Sequence, residues 1–165
     1  MSSTRAITAI KTLIFTLSVP GSVTVLVPYL MLSSGHELYS WQIGPLRFLG
    51  ILPLILGAAF YLKCAWDFTF TGGGTPAPID PPRIFVAKGL YRIARNPMYV
   101  GITLILTGES IVFESATLLA YAAILWLGFH LFVIYYEEPT LKKKFGKTYD
   151  DYFRAVPRWI PKGLP

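Results

Sequence analysis

Residues 96–139 read NPMYVGITLILTGESIVFESATLLAYAAILWLGFHLFVIYYEEP, and this stretch decides the fold. It holds two apolar runs, 99–113 and 116–136, and the short turn between them carries Glu109, Ser110, Glu114 and Ser115. A helix needs about 20 apolar residues to cross the hydrocarbon layer. The first run gives a helix of only ~22 Å and the second gives one of ~31 Å. We therefore predict a tight hairpin of two transmembrane helices.

Two further apolar runs, 6–32 and 45–68, precede this hairpin. Pro20 and Pro28 lie inside the first run and predict a kink near each, because proline removes a helical hydrogen bond. The glycines of the second run, Gly50 and Gly57, predict a close contact with another helix. The expected fold is an all-α integral membrane protein with four transmembrane helices and a C-terminal helix at the cytoplasmic interface.

The composition favours a membrane protein and argues against other classes. Of the 165 residues, 53% are hydrophobic and 15% are charged, whereas soluble domains carry about a quarter charged residues. The net charge of +6 is gathered in short loops, which suits an orientation signal better than binding of nucleic acid. A single cysteine, Cys64, excludes an intramolecular disulfide. We expect one domain, 1–165, with two N-terminal helices in 1–68 and the functional core in 69–165.

The basic residues predict how the helices are oriented. Lys and Arg are absent from 33–44, whereas Arg83, Lys88, Arg92 and Arg95 precede the hairpin and more bases follow it. Because bases favour the cytoplasm, four spans place both termini there. The first run is long enough to span, so we interpret it as a helix and not as a signal peptide. The expected membrane is a bacterial inner membrane or the endoplasmic reticulum.

The tail that follows residue 139 has its own pattern. Apolar residues recur there at spacings of three and four, which predicts one face of a helix: Leu141, Phe145, Tyr149, Tyr152 and Val156. We expect the lysines of this tail to lie on the other faces of the helix. Such a helix lies on anionic lipid or covers a site, and the two roles are compatible.

The loop 69–83, TFTGGGTPAPIDPPR, is the least membrane-like stretch. A dinucleotide-binding turn needs a helix directly after its glycines, and Pro76 and Pro78 forbid one. The sequence therefore excludes a Rossmann unit. The loop is equally consistent with a structural connector and with the wall of a site.

Arg95, Asn96 and Pro97 stand at the start of the third predicted helix. Pro97 suits the first helical position, and Asn96 is a predicted N-cap. Arg92 and Arg95 reach the headgroup layer or the cytosol. A capped helix with snorkelling bases explains all of these residues on structural grounds, so a function stays open here.

Two adjacent carboxylates, Glu137 and Glu138, end the fourth predicted helix, where the helix dipole disfavours negative charge. No local structural benefit explains them, so they indicate a functional site. His130 lies seven residues before Glu137 on nearly the same helix face, and a hydrogen bond to another helix explains it better than catalysis does. It has no second histidine and no cysteine cluster nearby, so we expect no metal.

The segments GLYRIARNPMYVG, at 89–101, and EEPTLKKKFGKTYDDYFRAVPRWIP, at 137–161, flank the predicted hairpin. Together they resemble the membrane-embedded methyltransferases, which comprise the isoprenylcysteine carboxyl methyltransferases and the phospholipid N-methyltransferases. The resemblance covers roughly residues 72–161 and includes the order, spacing and topology of the motifs. It implies S-adenosylmethionine bound at the cytoplasmic face of the membrane without a Rossmann fold.

The resemblance also implies a set of site residues. The implied cofactor-binding residues are Gly89, Tyr91, Arg95, Asn96, Pro97, Tyr99, Gly101, Glu137 and Glu138. The implied catalytic residues are Glu137, Arg95 and Arg158, with the acidic pair holding the ribose or amino group and Arg158 steering an anionic group of the substrate. The glycines at 72–74 look like the G-x-G of the N-methyltransferases.

The methyl acceptor stays open between the two branches. Asn96 stands where prenylcysteine enzymes typically carry histidine, which favours the phospholipid branch, whereas the FGxxYxxY tail favours the prenylcysteine branch. The expected partner is a lipid or a lipidated substrate, and no nucleic acid. Two rivals remain: a nicotinamide-dependent membrane reductase of related fold, and a small non-enzymatic assembly protein.

Overall fold

A computed structural model describes residues 2–76 and 86–160 of the chain, with side chains from residue 5 onward. Within these ranges every regular element is helical. The α-helices are α1 (Ser2–Ser18), α2 (Val27–Ser33), α3 (Ile51–Phe70), α4 (Pro97–Val112), α5 (Ala116–Phe132), α6 (Glu138–Phe145) and α7 (Lys147–Ala155). Short π-helical turns occupy Ser22–Leu26 and Val133–Glu137, and 3₁₀ turns occupy Gly44–Gly50 and Gly89–Arg92.

Three helical segments are long and apolar enough to cross a membrane: Arg5–Ser33, Gly44–Phe70 and Ala116–Phe145. Helix α4 is apolar but has 16 residues, which gives ~24 Å. The expectation of a helical protein with several candidate membrane spans is confirmed for the described residues, while the fourth crossing and the cytoplasmic position of the C-terminal helix stay predictions.

The first apolar segment is interrupted near both of its prolines. Helix α1 ends at Ser18, the π-helical turn follows, and α2 begins at Val27 with Pro28 in its first turn. The hydroxyl of Thr24 donates to the carbonyl of Pro20 over 2.8 Å, inside the disturbed stretch. These interruptions agree with the predicted kinks, because neither proline can donate a backbone hydrogen bond.

Helices α3 and α4 pack backbone against backbone through two pairs of glycines. A Cβ built on Gly50 would lie 2.6 Å from the carbonyl oxygen of Gly108, and one built on Gly57 would lie 2.5 Å from that of Gly101. Both distances are shorter than any real Cβ contact, so only glycine allows this approach. The seven-residue spacing on both helices keeps the two pairs in register in an antiparallel arrangement. The predicted close contact of Gly50 and Gly57 is confirmed.

The N-terminal helix lies antiparallel to α3. The hydroxyls of Thr12 and Thr69 are 2.8 Å apart, and those of Thr16 and Tyr61 are 2.9 Å apart. The start of α1 therefore lies at the end of the bundle where α3 ends. The tail after α5 returns to this same end, as its contacts with residues 91–96 show below.

The turn between α4 and α5 comprises residues 113–115 and is held by polar side chains. Ser115 caps α5 by accepting from the Leu118 amide over 3.1 Å. The carboxylate of Glu114 accepts from the amides of Ile43 and Gly44 over 2.8 and 3.1 Å. The predicted hairpin is present, and the preceding loop is bound to its turn.

The C-terminal region differs from the single helix that the sequence predicts. Helix α6 continues from α5 through the π-helical turn and stops at Gly146, whose φ of +53° breaks it before α7. Val156 lies beyond the end of α7. The apolar residues still recur at spacings of three and four across the break. Gly146 changes the direction of the chain but not the order of apolar and polar positions. The face itself is real, since Tyr149 is only 2% exposed and the lysines are exposed.

Candidate functional site

The start of α4 and the end of α5 meet at one end of the bundle. The hydroxyl of Tyr99 donates to Oε2 of Glu137 over 3.0 Å, and Nη1 of Arg95 lies 3.1 Å from Oε1 of Glu138. We call this region the arginine end and define it by Arg95, Tyr99, Glu137, Glu138 and Arg158. The two polar motifs that flank the hairpin in sequence therefore form one cluster.

A π-helical turn sets the direction of the two carboxylates. It spans Val133–Glu137, so it ends on the first residue of the acidic pair, and it adds a residue to the helical repeat. Pro139 follows, and its missing N–H leaves a carbonyl one turn earlier without its helical donor. Such turns occur often at functional sites. Here the π-helical turn directs Glu137 towards α4 and Glu138 towards the tail.

Glu138 lies between two arginines. Arg158 binds it in a bidentate manner, with Nε to Oε1 at 2.7 Å and Nη2 to Oε2 at 3.0 Å. The side chains of Arg95 and Glu138 are only 8% and 9% exposed. The hydrogen bond from Arg158 to this carboxylate raises the pKa of Arg158. Glu138 is thus an organising residue that binds two arginines from different parts of the chain.

Arg95 is buried and incompletely paired. Its guanidinium lies 3.9 Å from the centre of the Phe153 ring. Within the described ranges, its Nε and Nη1 are buried without a hydrogen-bond acceptor, although Nη1 is close enough to Glu138 for an ion pair. A buried donor without an acceptor costs roughly 1–3 kcal/mol, more when it is charged. This arginine can therefore accept an anionic ligand.

Glu137 keeps one oxygen open. Tyr99 donates to Oε2, and Oε1 has no hydrogen bond to any residue of 2–76 or 86–160. The ring of Tyr99 stacks on Phe129 with centroids 4.7 Å apart. A half-buried carboxylate beside aromatic faces is suited to a cation or to hydroxyl donors. The arginine end thus offers one place for an anion and one for a cation.

Residues 157–159, which follow α7, form a strap across the arginine end. The amide of Arg95 donates to the Pro157 carbonyl over 2.8 Å, and Nδ2 of Asn96 donates to the Arg158 carbonyl over 3.2 Å. Asn96 holds the N-cap position of α4 as predicted, but its side chain makes no capping bond and is bound to the strap instead. The strap keeps Arg158 directed at Glu138.

The strap also accounts for His130. Nε1 of Trp159 donates to Nδ1 of His130 over 3.1 Å, and the ring of Trp126 stacks on that of His130 at 5.3 Å. The structural interpretation of His130 agrees with this contact. The histidine binds the end of the tail to α5.

Gly89 and Tyr91 lie in the 3₁₀ turn before α4, which packs against the end of α3. Gly89 has a φ of +56°, and a Cβ built on it would lie 3.0 Å from Oδ2 of Asp67. Tyr91 is buried, its ring stacks on Phe68 at 5.3 Å, and its carbonyl accepts from the hydroxyl of Tyr152 over 2.7 Å. Burial raises the pKa of Tyr91, so its phenol stays neutral. Both residues border the arginine end, and their cofactor contacts stay predictions.

Two other implied residues have evident structural roles. Pro97 is buried at the first position of α4. Gly101 faces Gly57 in the contact between α3 and α4, which is a sufficient reason for glycine there. Arg158, implied as a guide for the substrate, is bound to Glu138 in this structure. The ligand roles of all three residues stay predictions.

Lys63 and Asp67 were not predicted from the sequence to border the site. They form an ion pair one turn apart on α3, and the Asp67 residue is only 7% exposed. The sequence does indicate this pair, because opposite charges at i and i+4 inside an apolar helix are unusual. Asp67 lies against Gly89 and so supports the turn that leads to Arg95.

Some expectations fall partly outside the described residues. Residues 77–83 of the loop 69–83 are among them, whereas the glycines at 72–74 follow α3 as a turn in which Gly73 has a φ of +63°. Across 2–76 and 86–160, no group of three or more His, Cys, Asp or Glu side chains is placed to hold a metal ion. The expected lack of a metal stays a prediction.

Comparison with known proteins finds a plant methyltransferase that is similar to part of the chain. The chain is 34% identical over 77 residues to protein-S-isoprenylcysteine O-methyltransferase B of Arabidopsis thaliana, and the match covers 46% of this chain and 39% of the plant protein. The chain thus spans well under half the length of this relative. No solved structure matches the chain.

The phospholipid methyltransferase family matches residues 46–148, which is more than half of the sequence. The match begins just before α3 and extends into α7, so it includes the paired glycines and the whole hairpin. It also contains every residue of the arginine end except Arg158. The chain therefore belongs to the phospholipid methyltransferase family.

Proposed function

We propose that the protein transfers a methyl group from S-adenosylmethionine to a lipid or prenylated substrate dissolved in the membrane, at the cytoplasmic face. The observation that carries this proposal is the meeting of the start of α4 with the end of α5. It brings Arg95, Tyr99, Glu137 and Glu138 together from two motifs 36 or more residues apart. Membership of the family supports the same reaction.

The residues at the arginine end fit the chemical groups of the proposed cofactor. Arg95, with a buried Nε that has no acceptor among the described residues, fits the carboxylate of its methionine portion. The open Oε1 of Glu137 fits the ammonium group or the ribose hydroxyls. The stacked rings of Tyr99 and Phe129 fit a sulfonium, which aromatic faces attract.

The protein would contribute position and shielding more than bond chemistry. When bound, the cofactor supplies an electrophilic methyl group on a sulfonium. The chain must hold the acceptor in line at about 3 Å and exclude water. The strap at residues 157–159 and the aromatic side chains on both sides of the cluster provide that shielding. Glu138, held by two arginines, keeps the strap closed over the site.

A base is required for only one class of methyl acceptor. A carboxylate or thiolate attacks without a base, whereas an amine must lose a proton. Glu137 is the residue placed to take it, because Tyr99 orients its carboxylate and Oε1 remains open. We infer that an amine acceptor makes Glu137 essential to the rate as well as to binding.

The test is calorimetric titration of the purified protein in detergent with S-adenosylhomocysteine. We expect the Glu137→Gln variant to bind at least ~10-fold more weakly, because a hydrogen bond to a charged group contributes about 1.5–3 kcal/mol. The matched control is Glu114→Gln at the opposite end of the hairpin, which should bind as the wild type does.

Three results would contradict the proposal. Equal binding by Glu137→Gln and the wild type would remove the carboxylate from the site. Binding of NADPH in place of S-adenosylhomocysteine would favour the membrane reductase, and binding of neither compound would favour an assembly protein.

A further inference from the structure

The ring of Phe153 lies against Arg95 at the arginine end. The Cζ atom of the guanidinium is 3.9 Å from the centre of the ring. The side chain of Arg95 is only 8% exposed, and Phe153 is half-buried in α7. A buried cation has lost much of its hydration and is attracted to an aromatic face more strongly than an exposed one is. Phe153 therefore stabilises the charge of Arg95 where little water reaches it.

This contact differs in kind from a hydrogen bond. A ring face attracts the planar guanidinium without using any N–H group, because the donors of arginine point outwards in the guanidinium plane. A carboxylate or a carbonyl in place of the ring would occupy some of these donors. Among the side chains of 5–76 and 86–160, none accepts a hydrogen bond from the buried Nε or Nη1 of Arg95. The ring thus stabilises the cation and leaves donors for an anionic ligand.

Other contacts hold the helix that carries this ring. The hydroxyl of Tyr152 donates to the carbonyl of Tyr91 over 2.7 Å and so binds α7 to the turn that precedes Arg95. Tyr149, one turn before Phe153 on α7, is only 2% exposed, and the centres of these two rings are 6.2 Å apart. The position of the ring is therefore set by the packing of α7 and not by the arginine alone.

The same ring contacts a second cation, Lys142, which depends on it less. Nζ of Lys142 lies 4.3 Å from the centre of the ring and 3.7 Å from Oδ1 of Asp150, and the side chain of this lysine is 45% exposed. Water and Asp150 both stabilise this ammonium group. Because a cation–π contact contributes less at an exposed site, removal of the ring should affect Arg95 more than Lys142.

We propose that Phe153 is a positioning residue for binding of the cofactor: its ring holds the guanidinium of Arg95 so that the N–H donors without an acceptor meet the carboxylate of the methionine portion. The inference rests on the proposed function and adds to it a residue that acts through the arginine. Without the ring, the guanidinium can turn onto Glu138, whose Oε1 is already 3.1 Å from Nη1. Its donors would then be used within the protein.

The test changes the ring and the carboxylate separately. Phe153→Leu removes the aromatic face but keeps an apolar side chain, and Phe153→Tyr keeps the face. Phe145→Leu is the matched control, because it makes the same change in the same tail at a ring whose nearby cation is Lys144, at 5.2 Å. Each purified protein is titrated by calorimetry with S-adenosylhomocysteine and with its decarboxylated analogue, which lacks only the carboxylate. Thermal unfolding in detergent shows whether each variant is folded.

We expect Phe153→Leu to bind S-adenosylhomocysteine roughly 10-fold more weakly than the wild type, whereas Phe153→Tyr and Phe145→Leu bind it as the wild type does. The decarboxylated analogue should bind equally well to Phe153→Leu and to the wild type, because the ring acts through the arginine that holds the carboxylate. A purely structural role of Phe153 would instead weaken the binding of both compounds alike.

Wild-type affinity of a folded Phe153→Leu variant, or an equal loss of affinity for both compounds, would overturn the inference. If Phe153→Leu does not fold, or the analogue binds too weakly to measure, a trifluorinated phenylalanine at position 153 decides, since it keeps the shape of the ring and weakens its negative face. Weaker binding of S-adenosylhomocysteine by that protein supports the inference, and wild-type affinity overturns it. A wild type that does not bind S-adenosylhomocysteine would contradict the proposed function itself and, with it, the role of Phe153.

Discussion

The two ends of the α4–α5 hairpin both carry carboxylates, but they use them differently. At the turn end, defined by Glu37, Glu114, Ser115 and Thr117, the carboxylates accept from backbone amides and hydroxyls. Glu37 accepts from the Thr117 amide over 2.9 Å, from the Thr117 hydroxyl over 2.7 Å and from the Ser115 hydroxyl over 2.6 Å. These contacts fix a loop to the start of a helix.

At the arginine end, the carboxylates bind long side chains from distant parts of the sequence. Some of the polar groups there have no hydrogen-bond partner among the described residues. Among the described residues, neither the buried Nε of Arg95 nor Oε1 of Glu137 has a hydrogen-bond partner. The difference separates structural from functional carboxylates. A carboxylate whose oxygens are bound by nearby amides and hydroxyls completes the fold, whereas one with a free oxygen beside an incompletely paired arginine can bind a ligand.

The largest effect is expected from removal of Glu138. Glu138→Ala leaves Arg95 and Arg158 without their shared partner, and breaking a buried pair from one side costs about 3–5 kcal/mol. Thermal unfolding in detergent should show a large loss of stability together with loss of S-adenosylhomocysteine binding. Asp151→Ala, which removes an exposed acid of the same tail, is the control. A Glu138→Ala protein as stable as this control would show that the cluster does not hold the strap.

A moderate effect is expected at the turn end. Ser115→Ala removes the N-cap of α5 and one partner of Glu37, which should lower the free energy of unfolding by about 1 kcal/mol. Binding of S-adenosylhomocysteine to the folded protein should stay at the wild-type level. A loss of affinity in this variant would mean that the two ends are coupled, and the contrast between them would not hold.

The smallest effect is a pH dependence from Glu37. Desolvation raises its pKa, but the hydrogen bonds from Ser115 and Thr117 outweigh it and lower the pKa to about 2. Because the folded pKa lies below the unfolded value, this stabilisation is present above about pH 4.5 and is lost as the pH falls towards 2. Glu37 is exposed, so we expect less than about 1 kcal/mol. Unfolding measured from pH 5 to pH 3 should show this loss in the wild type but not in Glu37→Gln, and an equal loss in both would exclude Glu37 as its source.

Much of the helical framework was predictable from the sequence. Apolar runs located the helices to within a few residues, and Gly50 and Gly57 indicated the tight contact with α4 because little else explains two glycines on a membrane helix. The break at Gly146 was not predicted. An apolar period survives a glycine hinge, so periodicity alone cannot show that one helix has become two.

The residues of the site were predictable from the sequence, but the contacts between them were not. The acidic pair was recognisable because its position is unfavourable for a helix, yet only coordinates show that Glu138 binds two arginines and that Glu137 faces Tyr99. Asn96 satisfied the local rule for an N-cap and still binds the strap. The strap was missed because its contacts join residues 20 to 62 positions apart, separations that no local pattern encodes.

The central claim is that the cofactor lies at the arginine end, and photolabelling tests it most directly. The purified protein is irradiated with an 8-azido analogue of S-adenosylmethionine, with excess S-adenosylhomocysteine as competitor, and labelled peptides are identified by mass spectrometry. The account predicts competed labelling in both 89–101 and 137–159. Labelling confined to the turn end, around residues 37–44 and 113–117, or labelling that the competitor does not reduce, would contradict it.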